Sequence, residues 1–255
     1  MGLDILAYLG IGMISGIAAG FFGMGGGTII VPVMLTLGYS FEHAIGISVM
    51  QMMFSSTFGS IINYKKGLLN ISDGVYAGIG GLIGASFSGL ILSSINTKTL
   101  TILFLIITCY SFVKYAFKLK TSVNASPPIK SKINQRLMLI LTGIITGIFA
   151  ISLGIGGGLL MVPILGYYLG YESKRVVPLG LFFVIFSSIS GTISFHSHDV
   201  IDTDVLHAGL YIGVASIVGV WLGIKLIIIS SPKLHRIALL SVYGLSMLVT
   251  AYNLI

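Results

Sequence analysis

Residues 20–32 read Gly-Phe-Phe-Gly-Met-Gly-Gly-Gly-Thr-Ile-Ile-Val-Pro, a glycine cluster that leads directly into an apolar run. The pattern returns at residues 154–163, which read Gly-Ile-Gly-Gly-Gly-Leu-Leu-Met-Val-Pro. Glycine tolerates positive φ and close backbone approach, so three in succession interrupt a helix. As helices, the apolar runs 28–38 and 159–170 would be about 16–18 Å long, too short to cross a bilayer core of about 30 Å. The sequence therefore predicts two broken helices.

The composition of the chain excludes ordinary soluble proteins. Of its 255 residues, 55% are hydrophobic and only 8% are charged, whereas soluble domains carry about 25% charged residues. We predict an all-α polytopic membrane protein in a lipid bilayer. The formal net charge of +7 does not indicate nucleic-acid binding, because the basic residues lie in the links between apolar runs. Eight runs are long enough to cross the bilayer: 3–22, 43–63, 74–94, 98–117, 136–153, 175–195, 205–229 and 234–254.

The two halves of the chain repeat each other in the same order of motifs. The repeated positions include both glycine clusters, Leu-Gly-Tyr at 37–39 and 169–171, and an aspartate at 73 and 204. We predict an N-terminal membrane repeat (1–117), a cytoplasmic linker (118–135) and a C-terminal membrane repeat (136–255). Each repeat is expected to be a broken or half-helix hairpin followed by three transmembrane helices.

The basic residues predict the orientation of the segments. With the central linker in the cytoplasm, 13 of the 14 Lys and Arg residues fall on the cytoplasmic side and only Lys98 falls outside. An excess of Lys and Arg is typical of cytoplasmic loops. We therefore expect both termini outside and the two repeats inverted, because the first hairpin then enters from outside and the second from the cytoplasm. The sequence leaves open whether each hairpin spans the membrane or only dips into it.

The two breaks form the candidate substrate site. Broken helices in inverted repeats are typical of secondary transporters, whose sites lie near the membrane midplane. The first N–H groups of a helix favour an anion, and all seven Asp and Glu residues lie at or near segment ends. The candidate residues are the cluster ends and nearby polar side chains: Gly25, Gly26, Gly27, Thr28, Gln51, Ser55, Ser56, Gly156, Gly157, Gly158, Leu159, Ser187 and Ser188.

Several of these residues also have a purely structural interpretation. Glycines permit close helix packing, serines can bond their own helix, and Gln51 can link two helices. Asp73 and Asp204 are expected to cap the helices that follow them. We expect no metal site, because His196 and His198 lack a third ligand on a rigid element. No set of side chains indicates a cofactor or an enzyme.

The sequence resembles the TauE/SafE family, also called the toluene sulfonate uptake permease family. The resemblance rests on residues 20–32, on their repetition at 154–163, and on residues 55–67, which end in Asn-Tyr-Lys-Lys-Gly. It implies transport of small sulfur-containing anions, such as sulfite, thiosulfate or organosulfonates, across the cytoplasmic membrane.

We therefore expect a secondary transporter of a small anion, a sulfur-containing one, bound at the midplane by the helix N-termini and moved by alternating access. The alternatives are a passive anion channel and a membrane scaffold subunit without a substrate of its own. The sequence also leaves open the formation of a homodimer.

Overall fold

The computed structural model describes residues 2–116, 132–169, 171 and 173–254. Within these ranges the chain forms eleven helices and no strands: α1 (Gly2–Phe22), α2 (Gly27–Thr36), α3 (Phe41–Lys65), α4 (Ile71–Ala85), α5 (Ser88–Ser94), α6 (Thr97–Ala116), α7 (Lys132–Ser152), α8 (Gly158–Leu169), α9 (Ser173–His196), α10 (Thr203–Ile229) and α11 (Pro232–Tyr252).

Seven spans within the described residues are long and apolar enough to cross a membrane. They lie in α1, α3, α7, α9, α10 and α11, with α4 and α5 together forming the seventh, Ile71–Ser94. The all-α polytopic membrane fold is thereby confirmed. The predicted run 98–117 extends beyond the described residues. Within them, this part of the chain forms a shorter apolar helix, Thr97–Val113. Most of the predicted linker also lies outside them, and α7 already begins at Lys132.

The two apolar runs after the glycine clusters form half-length helices. α2 has 10 residues and α8 has 12, so they are about 15 and 18 Å long at 1.5 Å per residue. Each is roughly half as long as the bilayer core is thick. The N-cap of α2 is Gly26, whose φ of 89° few residues other than glycine adopt.

The expected caps of α4 and α10 were wrong. Asn70 caps α4, since its side chain accepts a hydrogen bond from the N–H of Asp73 at 3.4 Å. Asp202 caps α10 in the same way and accepts from the N–H of Val205 at 2.8 Å. Both helices begin earlier than the sequence suggested, which leaves Asp73 and Asp204 inside the first turn.

Close glycine contacts show that α1, α3 and α10 run parallel. Gly209 and Gly213 of α10 face Met50 and Phe54 of α3 in the same order along both helices. Three glycines of α1 contact the α10 backbone in the same order: Gly12 at Ile212, Gly16 at Ser216 and Gly20 at Val220.

The helices α4, α7 and α9 form a second parallel group. Gly74 and Gly78 of α4 face Phe182 and Phe186 of α9, and two other glycines of α4 contact the α7 backbone: Gly80 at Ile140 and Gly84 at Ile144. This group runs opposite to the first, because α3 and α9 pack in antiparallel order, Gly59 against Leu181 and Gly191 against Val49.

Each group combines helices from both halves of the chain, and the two groups meet where α3 packs on α9. We call the end at which α1, α3 and α10 begin the Asp204 face, and the end at which α4, α7 and α9 begin the Asp73 face. The half-length helix α2 returns from its glycine cluster towards the Asp204 face, where α3 begins.

Candidate substrate site

The two glycine clusters depend on backbone conformations that other residues rarely adopt. Five of their glycines have positive φ: Gly23 at 71°, Gly25 at 77°, Gly26 at 89°, Gly154 at 63° and Gly156 at 86°. A residue with a Cβ atom would be strained in this region by roughly 1–2 kcal/mol. The helix breaks are therefore encoded by the glycines themselves.

The two clusters pack directly against each other, backbone to backbone. A Cβ atom on three of the glycines would overlap a carbonyl group of the opposite cluster: Gly27 that of Gly154, Gly156 that of Met24 and Gly158 that of Gly23. The first and the last of these contacts are equivalent, because the internal repeat pairs Gly27 with Gly158 and Gly154 with Gly23. Close packing thus accounts for these three glycines.

Gly26 has different surroundings. A Cβ atom there would lie 2.6 Å from the carbonyl oxygen of Ser15 and 3.2 Å from each side-chain heteroatom of Gln51. Gln51 is fully buried. Neither its Nε2 nor its Oε1 has a hydrogen-bond partner among the described residues, and the same is true of the buried Thr28 hydroxyl. Two unpaired polar side chains therefore lie at the start of α2.

The backbone of the same turn adds two more free donors. The first hydrogen bonds of α2 come from Ile29 and Ile30, whose N–H groups donate to the carbonyl of Gly26 at 3.1 and 3.3 Å. Among the described backbone bonds, the N–H groups of Gly27 and Thr28 make none. A buried polar group without a partner costs about 1–3 kcal/mol. The first N–H groups of a helix have no partner within it, so this turn offers donors to any acceptor that lies beside it.

The second cluster has apolar surroundings at the corresponding place. Gly157 faces Phe183, which occupies the position that the repeat makes equivalent to Gln51. Leu159 lies in the first turn of α8. At these two equivalent positions the first half thus supplies an unpaired amide and the second half an aromatic ring.

All four candidate serines bond within their own helices. The hydroxyls of Ser56, Ser187 and Ser188 donate to carbonyls three or four residues earlier. Ser55 also bonds within its helix, to Met52, and reaches the carbonyl of Gly25 at a long 3.5 Å. Ser55 is therefore the one candidate serine that the structure brings to a cluster.

Two further polar contacts hold the clusters in place. Ser48 donates to the carbonyl of Gly154 at 3.0 Å. The buried hydroxyl of Tyr243 donates to the sulfur of Met24 at 2.9 Å. Sequence reasoning missed the second contact, and no signal indicates it, because Tyr243 lies far along the chain in an apolar helix.

The centre of the molecule carries dipoles rather than charges. Among the buried side chains that the structure describes, the only charged group is the Asp73 carboxylate, in the first turn of α4. No described Lys or Arg is buried. Any ion at the start of α2 would therefore be held by hydrogen-bond donors and by the helix dipole.

Comparison with known proteins assigns the chain to a family. The family model described as sulfite exporter TauE/SafE matches residues 8–250. The chain belongs to this family. The expected resemblance is confirmed over nearly the whole length of the chain, and the protein is a multi-pass membrane transporter of the TauE/SafE type. No solved structure matches it significantly.

The family match agrees with three curated relatives. The probable membrane transporter protein MJ0441 of Methanocaldococcus jannaschii is 28% identical, over 92% of this chain and 90% of its own length. The probable membrane transporter protein YunE of Bacillus subtilis is 27% identical, over 85% of this chain and 84% of its own. A second protein of that organism, the probable membrane transporter protein YdhB, is 24% identical, over 82% of this chain and 85% of its own length.

Proposed function

We propose that the protein is a secondary transporter that moves a small sulfur-containing anion by alternating access and binds it at the start of α2. The observation that carries this proposal is the unpaired, fully buried amide of Gln51 beside Gly26. It lies next to the free Thr28 hydroxyl and to the free N–H groups of the same turn.

The chemistry of these groups favours an anion. The N–H groups of Gly27 and Thr28 only donate, and a helix N-terminus attracts negative charge. The Thr28 hydroxyl and the Gln51 amide offer further donors. An anion with several oxygens accepts hydrogen bonds from more than one of them at once. A sulfur oxyanion or a sulfonate has this form, and the description of the family as sulfite exporters supports that substrate class.

The helix lengths support a site near the midplane. α2 extends about 15 Å from Gly26 towards the Asp204 face, and Gln51 lies ten residues into α3, also about 15 Å from its start. Both distances are half of a bilayer core of about 30 Å. The antiparallel order of α3 and α9 supports inverted repeats. With the positive-inside rule, the Asp73 face is then cytoplasmic, in the cytoplasmic membrane, and both termini are outside.

The test is transport by the purified protein in proteoliposomes, with radiolabelled sulfite and thiosulfate compared with chloride and phosphate. We expect uptake of one sulfur anion that is accelerated by the same anion trapped inside, which a carrier shows and a channel does not. Gln51→Leu and Thr28→Val should each lower this uptake at least tenfold. Thr36→Val is the matched control, because the Thr36 hydroxyl bonds within α2, at the end remote from the glycine cluster.

Thermal unfolding in detergent separates a ligand from a structural link. If Gln51 serves a ligand, Gln51→Leu removes two unpaired buried groups and should raise the melting temperature while transport falls. A lowered melting temperature with unchanged transport would instead assign Gln51 to helix packing and contradict the proposed site. Uptake that is insensitive to trapped anion would indicate a channel, and no uptake of any anion would indicate a scaffold.

A further inference from the structure

A cavity of about 350 Å³ lies at the Asp204 face, at the end of α2 remote from the glycine cluster. Its walls come from α1, from the turn after α2 and from the first turn of α10, and it is lined by Ala7, Tyr8, Leu37, Gly38, Tyr39 and Asp204. The hydroxyls of Tyr8 and Tyr39 are hydrogen-bonded at 2.6 Å. Among the described residues, Tyr39 makes no hydrogen bond to Asp204, although both line the same cavity.

The same pair of residue types occurs at the Asp73 face in a closed arrangement. Tyr171 and Asp73 are the positions that the internal repeat makes equivalent to Tyr39 and Asp204. Here the Tyr171 hydroxyl donates to Oδ2 of Asp73 at 2.8 Å. Both side chains are only 8% exposed. The repeat thus places a Tyr–Asp pair at each face, and the structure holds one pair open and the other closed.

We propose that these two Tyr–Asp pairs are the gates of the transporter, and that they close in alternation. The proposal rests on the function proposed above, because only alternating access requires two gates. The structure is the state in which the Asp73 gate is shut and the Asp204 gate is open. Closing the Asp204 gate brings the Tyr39 hydroxyl onto the Asp204 carboxylate and fills the cavity, while the bond from Tyr171 to Asp73 breaks.

Tyr8 accounts for the difference between the two faces. It holds the Tyr39 hydroxyl by a hydrogen bond. The equivalent position of the second repeat is Leu139, which has no hydrogen-bonding group and is fully buried. The Tyr39 hydroxyl is therefore held by a second phenol, whereas the Tyr171 hydroxyl accepts from Gln135 at 2.6 Å and donates to Asp73. Tyr8 acts as a latch that keeps the Asp204 gate open.

Tyr39 remains a hydrogen-bond donor throughout. Burial, the hydrogen bond to Tyr8 and the negative charge of Asp204 raise the pKa of its phenol above the usual value. The hydroxyl therefore keeps its proton over the physiological pH range, which closure onto a carboxylate requires.

The test is the rate of thiol labelling at each face, measured on protein in nanodiscs so that a maleimide reaches both faces. Cys109 is first replaced by Ala, since it is the only cysteine of the chain. One reporter is Ala7→Cys in the cavity. The other is Met138→Cys, at the equivalent position of the second repeat. We expect Ala7→Cys to be labelled faster than Met138→Cys.

Variants of the shut gate should shift both rates in opposite directions. Tyr171→Phe removes the hydrogen bond that closes the Asp73 gate, and Asp73→Asn weakens it by removing the charge of the acceptor. We expect labelling of Met138→Cys to rise about tenfold, as for the loss of one hydrogen bond to a charged acceptor, and labelling of Ala7→Cys to fall. Tyr252→Phe is the control, because this tyrosine is 81% exposed and should change neither rate.

The variant Tyr8→Phe tests the latch and leaves the buried pair of Tyr171 and Asp73 unchanged. Tyr8→Phe frees Tyr39, so labelling of Ala7→Cys should fall several-fold. Adding Asp204→Ala, which removes the acceptor of the closed gate, should restore it. Faster labelling at Met138→Cys with an unchanged rate at Ala7→Cys would mean local loosening, and would overturn the gate proposal. If Tyr8→Phe leaves the labelling rate of the reporter Ala7→Cys unchanged, the role of Tyr8 as a latch is overturned. Labelling needs no substrate, so these outcomes do not depend on whether Gln51 binds an anion.

Discussion

At the scale of single residues, Gln51 and Phe183 give the two glycine clusters opposite surroundings. They occupy equivalent positions of the repeat, yet Gly26 faces an unpaired amide and Gly157 faces a phenyl ring. The start of α2 therefore has an unpaired amide beside it where the start of α8 has a phenyl ring. The two halves thus share the helix breaks and differ in the side chains beside them.

This geometry changes which substitution is informative. From the sequence alone, Gly26→Leu or Gly157→Leu is expected to abolish substrate binding and to leave membrane insertion intact. In the structure a Cβ atom at Gly26 would lie 2.6 Å from the carbonyl oxygen of Ser15, and one at Gly157 would lie 2.5 Å from the ring of Phe183. Both changes would disturb packing, so variants of Gln51 and Thr28 are the better probes.

Glycine substitutions should separate backbone strain from packing. Gly156 and Gly38 have similar positive φ values, 86° and 89°, but a Cβ atom would overlap the carbonyl of Met24 in the first case and meet open space in the second. We expect Gly38→Ala to cost about 1–2 kcal/mol and Gly156→Ala to prevent folding. Gly10→Ala, in open space within α1, should stabilise by about 0.5–1 kcal/mol. Melting temperatures in detergent rank the three variants by stability. Equal losses of stability in Gly38→Ala and Gly156→Ala would contradict the prediction.

At the residue scale, the sequence predicted the kinds of residue at the site better than their contacts. The glycine clusters and Gln51 were identifiable, because three consecutive glycines and a glutamine are both unusual in apolar segments. The inverted repeats predicted that the two clusters meet, but not their close backbone contact, because that depends on how segments from opposite halves of the chain cross. All four candidate serines donate within their own helices, and only Ser55 also reaches a glycine cluster.

At the scale of elements, helix length was predictable and helix starts were not. The half-length of α2 and α8 follows from the distance between each glycine cluster and the next polar turn. The start of α10 was misplaced, because Asp202 and Asp204 are both good capping residues and only the backbone conformation distinguishes them. Asp202 has the extended backbone of an N-cap.

Removing the true cap should destabilise the protein more than changing the neighbouring aspartate. Asp202→Ala deletes the acceptor of the N–H of Val205 and should cost about 1 kcal/mol. Asp204→Asn leaves that bond intact and should cost about 0.5 kcal/mol or less through the weakened interaction with the helix dipole. Thermal unfolding of the two variants side by side provides the measurement. A larger loss in Asp204→Asn would restore the original assignment of the cap.

At the scale of the whole molecule, the two halves are interlocked. α1 packs mainly on α10 from the other half, and α4 packs mainly on α7. Hydropathy and the repeat predicted seven of the eight expected spans, and the eighth, 98–117, extends beyond the described residues. The exchange of helices between the halves could not be predicted, because hydropathy carries no information on which apolar faces meet.

Interlocking predicts that neither half is stable alone. We expect residues 1–116 and 132–255, produced separately, to be degraded or aggregated, since each exposes a glycine-lined helix face that its partner covers. Produced together in one cell, they should copurify and regain transport. Copurification with a tag on one half checks this, and a half that is monodisperse and protease-resistant alone would contradict it.

The backbone contact between the clusters also bears on how such a protein originates. Gly27 meets Gly154 and Gly158 meets Gly23 in the same way, so the molecule is built as if from two copies of one half-length chain. The antiparallel order of α3 and α9 means that those copies would face opposite ways across the bilayer. Gene duplication and fusion would then make permanent what began as a pairing of identical chains inserted in both orientations. Each copy afterwards keeps one orientation and is free to diverge, as Gln51 and Phe183 have done.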